Sequence, residues 1–340
     1  MADVAATEIS SASGGRRADR PAIPSDQWCR APWNRWSFQH VSEFVLTTLV
    51  RRGQRPASAL PYDLQPLDRI AFEHKGEALT VAGFLERSYT DGFIVLHRGA
   101  IVSERYMNGM TDRSAHLSQS VSKSIVSTVA GILTDRGQFD PQALVTDYLP
   151  ELQRTAYRGA RIQHLLDMAS GVAFSEDYDD PESDVAILEF AAGWTRSGKP
   201  EWPRSTWEFV LGQTRLERPH GQRFSYRSSE TDVLGLAIER ATGERLAALV
   251  SGLIWDPMGA EEDAYFTVDP AGYAAASGGF NATLRDYARF GLLHASGGAV
   301  QGRQVVPRDW IAATQQCDPG LIRDEDRAGD PKWGYKNQFW

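Results

Sequence analysis

The sequence predicts a mixed α and β chain (α+β) in two lobes, an antiparallel sheet flanked by helices and a mostly helical part. Three observations carry this. A hairpin pattern fills residues 92–106, with Gly92-Phe93-Ile94-Val95-Leu96-His97 and Ala100-Ile101-Val102-Ser103-Glu104-Arg105-Tyr106 as arms around an Arg98-Gly99 turn. An apolar stripe at helical spacing follows it: Val121, Ile125, Val126, Val129, Ile132 and Leu133. Helical periods separated by loops then run from about 140 to 262, before strand-like pieces return. With 340 residues the chain is long enough to bury two lobes.

In chain order, residues 1–25 are rich in Ala, Ser, Gly, Arg and Asp without periodicity, and read as a disordered tail. Trp28, Trp33, Trp36 and Phe38 mark the start of packing. Residues 63–87 read as helix-rich, with Leu67, Ile70, Leu79 and Phe84 as buried positions. The first arm of the hairpin is continuously apolar and is expected to be a central strand. The helix after Ser120 is expected to bury one face and to stop at Gly137. Further helices are expected at 161–169, 185–192, 207–213, 231–241 and 245–254, and a strand at 265–268. A helix at 284–293 is opened by Thr283 with Asp286 as a capping box. A hairpin near 299–306 and a helix near 309–315 close the chain. No internal repeat is present.

Composition narrows the classes of function. Net charge is −8, with no basic cluster and no aromatic ladder between basic residues, which argues against a nucleic-acid partner. Two cysteines, Cys29 and Cys317, lie far apart without metal spacing, so a reduced compartment and no disulfide framework are expected. The first residues lack a charged-then-apolar leader pattern, and no apolar run is long enough to span a bilayer. The expected location is the cytoplasm, with no membrane partner.

The stretch Ser118-Gln119-Ser120-Val121-Ser122-Lys123 carries the chemistry. On a helix Ser120 and Lys123, three apart, share a face. Ser120 also falls in the first turn, where free N–H groups favour developing negative charge. A serine hydroxyl needs a base to take its proton, and a lysine serves only when its pKa is lowered. A Ser-x-x-Lys recurs by chance in a chain this long, and most such pairs are exposed helix surface. Here only five of 36 basic residues are lysines, and one is placed in an apolar helix start. Tyr226, in Phe224-Ser225-Tyr226-Arg227-Ser228-Ser229 before the helix at 231, could relay a proton between the serine and a leaving group. On its own it reads equally as a core or loop tyrosine.

Other motifs fail. Gly193-Trp194-Thr195-Arg196-Ser197-Gly198-Lys199-Pro200 nearly spells a phosphate loop, but proline stands where Ser or Thr would hold magnesium. The loop at 175–184 has six acidic residues without calcium-loop spacing. No His-Glu-x-x-His, paired Cys-x-x-Cys or Gly-x-Ser-x-Gly occurs, and seven scattered histidines give a Ser-His-Asp triad no local support.

Four segments in order, Ser120-x-x-Lys123, Leu165-Leu166-Asp167-Met168-Ala169-Ser170-Gly171, Tyr226-Arg227-Ser228, and Ser277-Gly278-Gly279-Phe280 through Gly291, resemble the serine β-lactamase/penicillin-binding superfamily, most of all its class C and esterase branch. Ala31-Pro32-Trp33-Asn34-Arg35-Trp36, Glu176-Asp177-Tyr178 and Ala192-Gly193-Trp194 narrow the resemblance to the 6-aminohexanoate-dimer (nylon-oligomer) hydrolases. It runs from about Trp28 to Trp340.

The resemblance implies a β-lactamase/transpeptidase-like fold. The sheet domain would be discontinuous, from 26–139 and 263–340, with a mostly helical insert at 140–262. It implies Ser120 as nucleophile, Lys123 as its base and Tyr226 as proton shuttle, with the Ser120 N–H as half of an oxyanion hole. Tyr178 matches a pocket tyrosine that favours amide cleavage, and Trp194 a pocket tryptophan. Glu189 stands where those enzymes carry an aspartate facing the substrate's ammonium group. Ser277 replaces an asparagine, and Ser228 stands where class C enzymes carry asparagine, a departure that weakens a β-lactam reading. Lys332-Trp333-Gly334-Tyr335-Lys336-Asn337-Gln338-Phe339-Trp340 looks like the lead-in to the third family motif, Lys/His-x-Gly on a late strand, and the chain then stops. The expectation is a C-terminally truncated version lacking strands and one oxyanion donor. The function implied is hydrolysis of small linear amides or esters through an acyl-serine, with no metal or organic cofactor. A carboxylesterase with little amidase activity and a non-catalytic hydrolase-like fragment are the alternatives. A homodimer is left open.

Overall fold

A computed structural model of the chain describes residues 21–24, 26–318, 320–322 and 333–340. Apart from 21–24, the tail expected at 1–25 lies outside the described residues up to residue 20 and at 25, as does Lys332.

The strands are β1 Thr47–Val50, β2 Ala71–His74, β3 Glu77–Thr80, β4 Gly92–His97, β5 Ala100–Tyr106, β6 Ala115–Leu117, β7 Ala264–Thr267, β8 Phe280–Thr283, β9 Ala299–Val300 and β10 Arg303–Gln304. The helices are α1 Asn34–Ser37, α2 Val81–Arg87, α3 Val121–Asp135, α4 Val145–Tyr148, α5 Ile162–Leu166, α6 Asp184–Ala191, α7 Thr206–Gly212, α8 Ser228–Thr242, α9 Leu246–Val250, α10 Asp256–Met258, α11 Leu284–Ala295 and α12 Arg308–Thr314. A π-helical turn, Ser251–Trp255, joins α9 to α10.

A four-stranded antiparallel sheet in the order β1-β7-β8-β6 stands beside α3. Leu49 pairs with Tyr265, Tyr265 with Asn281, and His116 with Ala282. Two of these strands precede the helical stretch and two follow it. The β6–β8 pairing delivers Ser118 directly to the mouth of α3, where its N–H donates to the Phe280 carbonyl at 2.9 Å.

Helix α3 is rich in β-branched residues: Val121, Ile125, Val126, Thr128, Val129, Ile132 and Thr134. Such residues form helices poorly, so burial and not propensity holds this one. The sequence suggested one buried face. Instead residues 122, 123 and 125–133 are all buried, because α8 and α9 pack on α3 from the helical stretch. Each fully buried Val, Ile or Leu contributes roughly 1.5–3 kcal/mol. Gly131 admits the Trp310 ring of α12, which an added Cβ would meet at 2.4 Å. Only Val121 departs the other way, 47% exposed beside Ser120.

Two other expectations are corrected. Residues 63–87 are not helix-rich. A β2–β3 hairpin turns at Lys75-Gly76, both at positive φ, and besides α2 only a 3-10 turn at Leu67–Arg69 is helical; Ile70 and Phe84 are exposed. The Glu73-His74-Lys75-Gly76-Glu77 turn chemistry outweighs the helical spacing of the four apolar residues. The 92–106 hairpin does form, but β4 is no central strand. Among the described residues it pairs only with β5, in a two-stranded sheet, and residues 92–96 are half-buried while Ile101, Val102 and Ser103 of β5 are buried. The remaining elements fall within a few residues of expectation, with α8 starting at Ser228 and α9 and α10 divided by the π-turn. Thr283 does cap α11, accepting from the Asp286 N–H at 3.3 Å.

The last residues pin α3 to the helical stretch. Asn337 and Gln338 take left-handed backbone, φ 48° and 62°, and both are buried. Ser127 Oγ donates to the Asn337 carbonyl at 2.6 Å and Ser124 Oγ to the Gln338 carbonyl at 2.9 Å. The Gln338 amide donates to the Leu165 carbonyl at 2.6 Å and accepts from Thr231 Oγ1 at 2.7 Å.

Candidate active site

Ser120 is the residue that caps α3, and Gln119 before it sits at φ 49°. A non-glycine residue in that left-handed region is costly and persists where the surroundings impose it. Here the β6 strand ends and α3 begins within three residues, and the bend presents the Ser120 side chain to a cleft. Gln119, Ser120, Lys123, Tyr178, Glu189, Trp194, Ser228, Asp232, Ser277 and Gly278 line that cleft together.

Lys123 is 2% exposed. Its Nζ lies 3.1 Å from Ser120 Oγ, 3.2 Å from Ser228 Oγ and 2.6 Å from the Ser277 carbonyl oxygen. It also stands 5.1 Å over the Tyr226 ring. Burial lowers its pKa to about 8, although the Glu176 and Asp232 carboxylates pull it upward. Desolvation wins, so a lysine that would be an ammonium at any ordinary pH is brought within reach of the neutral form.

Burial raises the Tyr226 phenol to about 12, although the nearby Ser120 hydroxyl works to lower it. The phenol therefore keeps its proton at neutral pH and is a donor. Its ring is stacked on Trp340 at 5.7 Å and 11° and stands edge-on to Tyr335 at 6.3 Å. The C-terminal aromatic residues thus fix the plane of the tyrosine.

The other expected pocket residues are brought to the same cleft. Trp194 is buried, its Nε1 donating to Thr267 Oγ1 at 3.0 Å and its ring edge-on to Trp28 at 5.5 Å. The Glu189 carboxylate on α6 accepts no hydrogen bond among the described residues, and burial raises it to about 7 against the pull of Arg30. Tyr178 is 52% exposed on the rim, and its hydroxyl donates to Glu176 at 2.6 Å. Ser277 serves through its backbone: the carbonyl accepts from Lys123 and the N–H donates to Asp232 Oδ1 at 3.0 Å.

Two residues were not singled out from the sequence. Glu176 accepts from the Ser228 N–H at 2.8 Å and from Ser228 Oγ at 2.6 Å, placing a carboxylate on the first turn of α8. Asp232 lies one helical turn beyond Ser228, buried, with Oδ2 unpartnered and its carboxyl raised to about 6 by burial. The i, i+4 relation of Ser228 and Asp232 was a readable signal. Glu176 was lost among the six acids of its loop.

Size would have pointed elsewhere. A cavity of about 560 Å³ lies between β4, β6 and α11, lined by Asp91, Met110, His116, Tyr287 and Phe290, and it holds none of Ser120, Lys123 or Tyr226. Among the described residues no three His, Cys, Asp or Glu side chains are grouped to hold a metal. Among the described residues no helix is long and apolar enough to cross a membrane.

The chain is similar to known hydrolases. The Beta-lactamase family model matches residues 78–321. The chain is 35% identical over 329 residues to the 6-aminohexanoate-dimer hydrolase of Paenarthrobacter ureafaciens, covering 96% of this chain and 81% of that protein. It is 25% identical over 245 residues to Esterase EstB of Burkholderia gladioli, covering 61% and 55%. A solved Bacillus anthracis structure assigned as a 6-aminohexanoate-dimer hydrolase superposes with a TM-score of 0.85 at 31% identity, over 93% of this chain and 82% of that one. With a matching family model over most of its length and relatives that are hydrolases, the chain belongs to the β-lactamase family and is a serine hydrolase of amides or esters.

Proposed function

We propose that this chain cleaves small linear amides bearing a free ammonium group, of the 6-aminohexanoate-dimer kind, and that it does so through an acyl-Ser120. The observation that carries the reading is geometric: the buried Lys123 nitrogen lies 3.1 Å from Ser120 Oγ and 5.1 Å from the centre of the Tyr226 ring, so the three residues are gathered at one point.

Neutral Lys123 takes the Ser120 proton as Oγ bonds to the substrate carbonyl carbon. The Ser120 N–H at the mouth of α3 offers a donor to the oxygen that becomes negative. As the tetrahedral intermediate collapses, Tyr226 gives its proton to the leaving nitrogen and recovers one from Lys123. Water then attacks the acyl-serine by the reverse route and releases the acid. The residues of the cleft support an amide with a cationic end. Glu189 has no protein donor and can face an ammonium. Tyr178 has committed its only proton to Glu176, so toward the cleft it offers a lone pair, which an amide N–H can meet and an ester cannot.

The likeness to EstB favours a second reading, a carboxylesterase using the same serine with little amidase activity. A cytoplasmic setting and the discontinuous two-domain division at 140–262 belong to the proposal as well. Intact mass after brief exposure to a p-nitrophenyl acyl ester tests the core of it. An adduct mapping to Ser120 and absent in Ser120→Ala supports the acyl-serine route; a folded chain that forms no adduct sinks it. Turnover of a 6-aminohexanoate dimer against a matched short ester then separates the two readings.

A further inference from the structure

Lys123 has three neighbours for its nitrogen, and a neutral amine has two N–H bonds and one lone pair. Catalysis needs the lone pair on Ser120. What sends it there can be read from the neighbours. The Ser277 carbonyl can only accept, so it takes one N–H at 2.6 Å. Ser228 is a hydroxyl, and by itself could donate to the lysine as easily as accept from it. Its proton is already placed, because Ser228 Oγ donates to Glu176 Oε1 at 2.6 Å while the Ser228 N–H occupies Oε2 at 2.8 Å. With that proton committed, Ser228 Oγ can only accept from Lys123, at 3.2 Å. Both N–H bonds of the neutral lysine are then used, and the lone pair is left for the Ser120 hydroxyl.

We propose that Glu176 is a positioning residue of the reaction, acting through Ser228 to aim the lone pair of Lys123 at Ser120. The proposal rests on the acyl-Ser120 reading above. A carboxylate suits the task because it has two acceptor oxygens and no proton to offer. A glutamine could accept on one side only, and its amide group would leave the Ser228 hydroxyl free to turn its own proton onto the lysine. Glu176 also carries charge. The groups that face Lys123 are Glu176 from its loop, Asp232 from α8, and the Tyr226 ring; the two carboxylates favour the ammonium. Loss of Glu176 therefore has two separable effects, a misdirected lone pair and an easier deprotonation.

The test uses the full chain and a p-nitrophenyl acyl ester, reading the acylation burst by stopped flow across pH. For Glu176→Gln the expected result is an acylation rate at least tenfold lower at saturating ester, an unchanged KM, and an acid limb moved to lower pH. Ser228→Ala is expected to lose a similar factor without that movement, and the double variant to lose little more than either alone, because both act through one contact. A Glu176→Gln chain that acylates at the unaltered rate overturns the proposal, as does full additivity of the two losses. Should Glu176→Gln fail to fold by circular dichroism, Ser228→Ala decides by itself: an undiminished burst in that variant also overturns it. Retention of the burst by Ser120→Ala would refute the underlying serine reading and is a separate outcome.

Discussion

The shortest hydrogen bond of Lys123 goes to the Ser277 carbonyl, at 2.6 Å, and not to Ser120 Oγ, at 3.1 Å. The anchor is backbone, so the side chain at 277 is not what holds the lysine. Ser277→Ala is expected to keep kcat/KM for an ester within severalfold, while Lys123→Met lowers it by about 10²–10⁴, the span typical of a lost general base. Steady-state kinetics of the two variants on one substrate checks this. An equal loss in both would remove the special place of Lys123.

The pH dependence follows from burial. A lysine depressed to about 8 is mostly ammonium at pH 6 and mostly free base at pH 9. kcat/KM on a neutral ester is therefore expected to rise through about pH 8. Asp232→Asn removes a negative charge that stabilises the ammonium, so its acid limb should move to lower pH. A limb that stays in place, or moves up, would show that Asp232 does not face the lysine's charge.

Glu189 gives a second pH signature. Its carboxyl, raised to about 7 by burial, is neutral below that pH and ionised above it. Inhibition by a cationic amino-acid amide, taken as a ratio to an uncharged analogue, should strengthen as pH rises through 7. In Glu189→Gln the ratio should be flat. The ratio cancels any effect of Lys123, which both inhibitors meet alike.

Tyr226→Phe removes the proton donor and leaves the ring against Trp340. An amine is a poor leaving group without a proton and a nitrophenolate is a good one. The variant is expected to lose about 10²-fold or more on an amide and far less on a p-nitrophenyl ester. Parallel assays on the two substrates decide it, and equal losses would assign Tyr226 to the first step instead.

For stability, Gln338→Ala removes the side-chain acceptor of the Thr231 hydroxyl and one donor to the Leu165 carbonyl, which keeps the Met168 N–H at 3.2 Å, in a buried seam. The hydroxyl left without its acceptor costs about 1–3 kcal/mol. The urea midpoint should fall accordingly, and an unchanged midpoint would mean that the seam is not tight.

Local pattern made part of this legible. Ser120 and Lys123 are three residues apart on one helix, so their meeting is written in the chain. Tyr226 needed the order of distant segments, since nothing around it says where it points. Glu176 lay beyond reach because its partner, Ser228, is 52 residues away, while Asp232 could be tied by spacing to Ser228 but not to Ser277, 45 residues away. The misread stretch at 63–87 shows the reverse hazard. Leu67, Ile70, Leu79 and Phe84 look periodic, but their spacing spans a turn that Gly76 makes at φ 79°. The apolar run of β4 likewise says that the strand is shielded, not which strand lies beside it.

The bonds of Lys123 reach 105 residues forward to Ser228 and 154 to Ser277. Contacts so distant in the chain carry the loop-closure cost that slows folding. On the ribosome, Ser120 and Lys123 emerge long before the residue whose carbonyl anchors the lysine. A nascent or partly folded chain thus exposes an ordinary serine beside an ordinary solvated lysine. On the proposed reading Ser120 is activated only once these long-range contacts have formed, so the rate of its labelling during refolding is expected to report their formation.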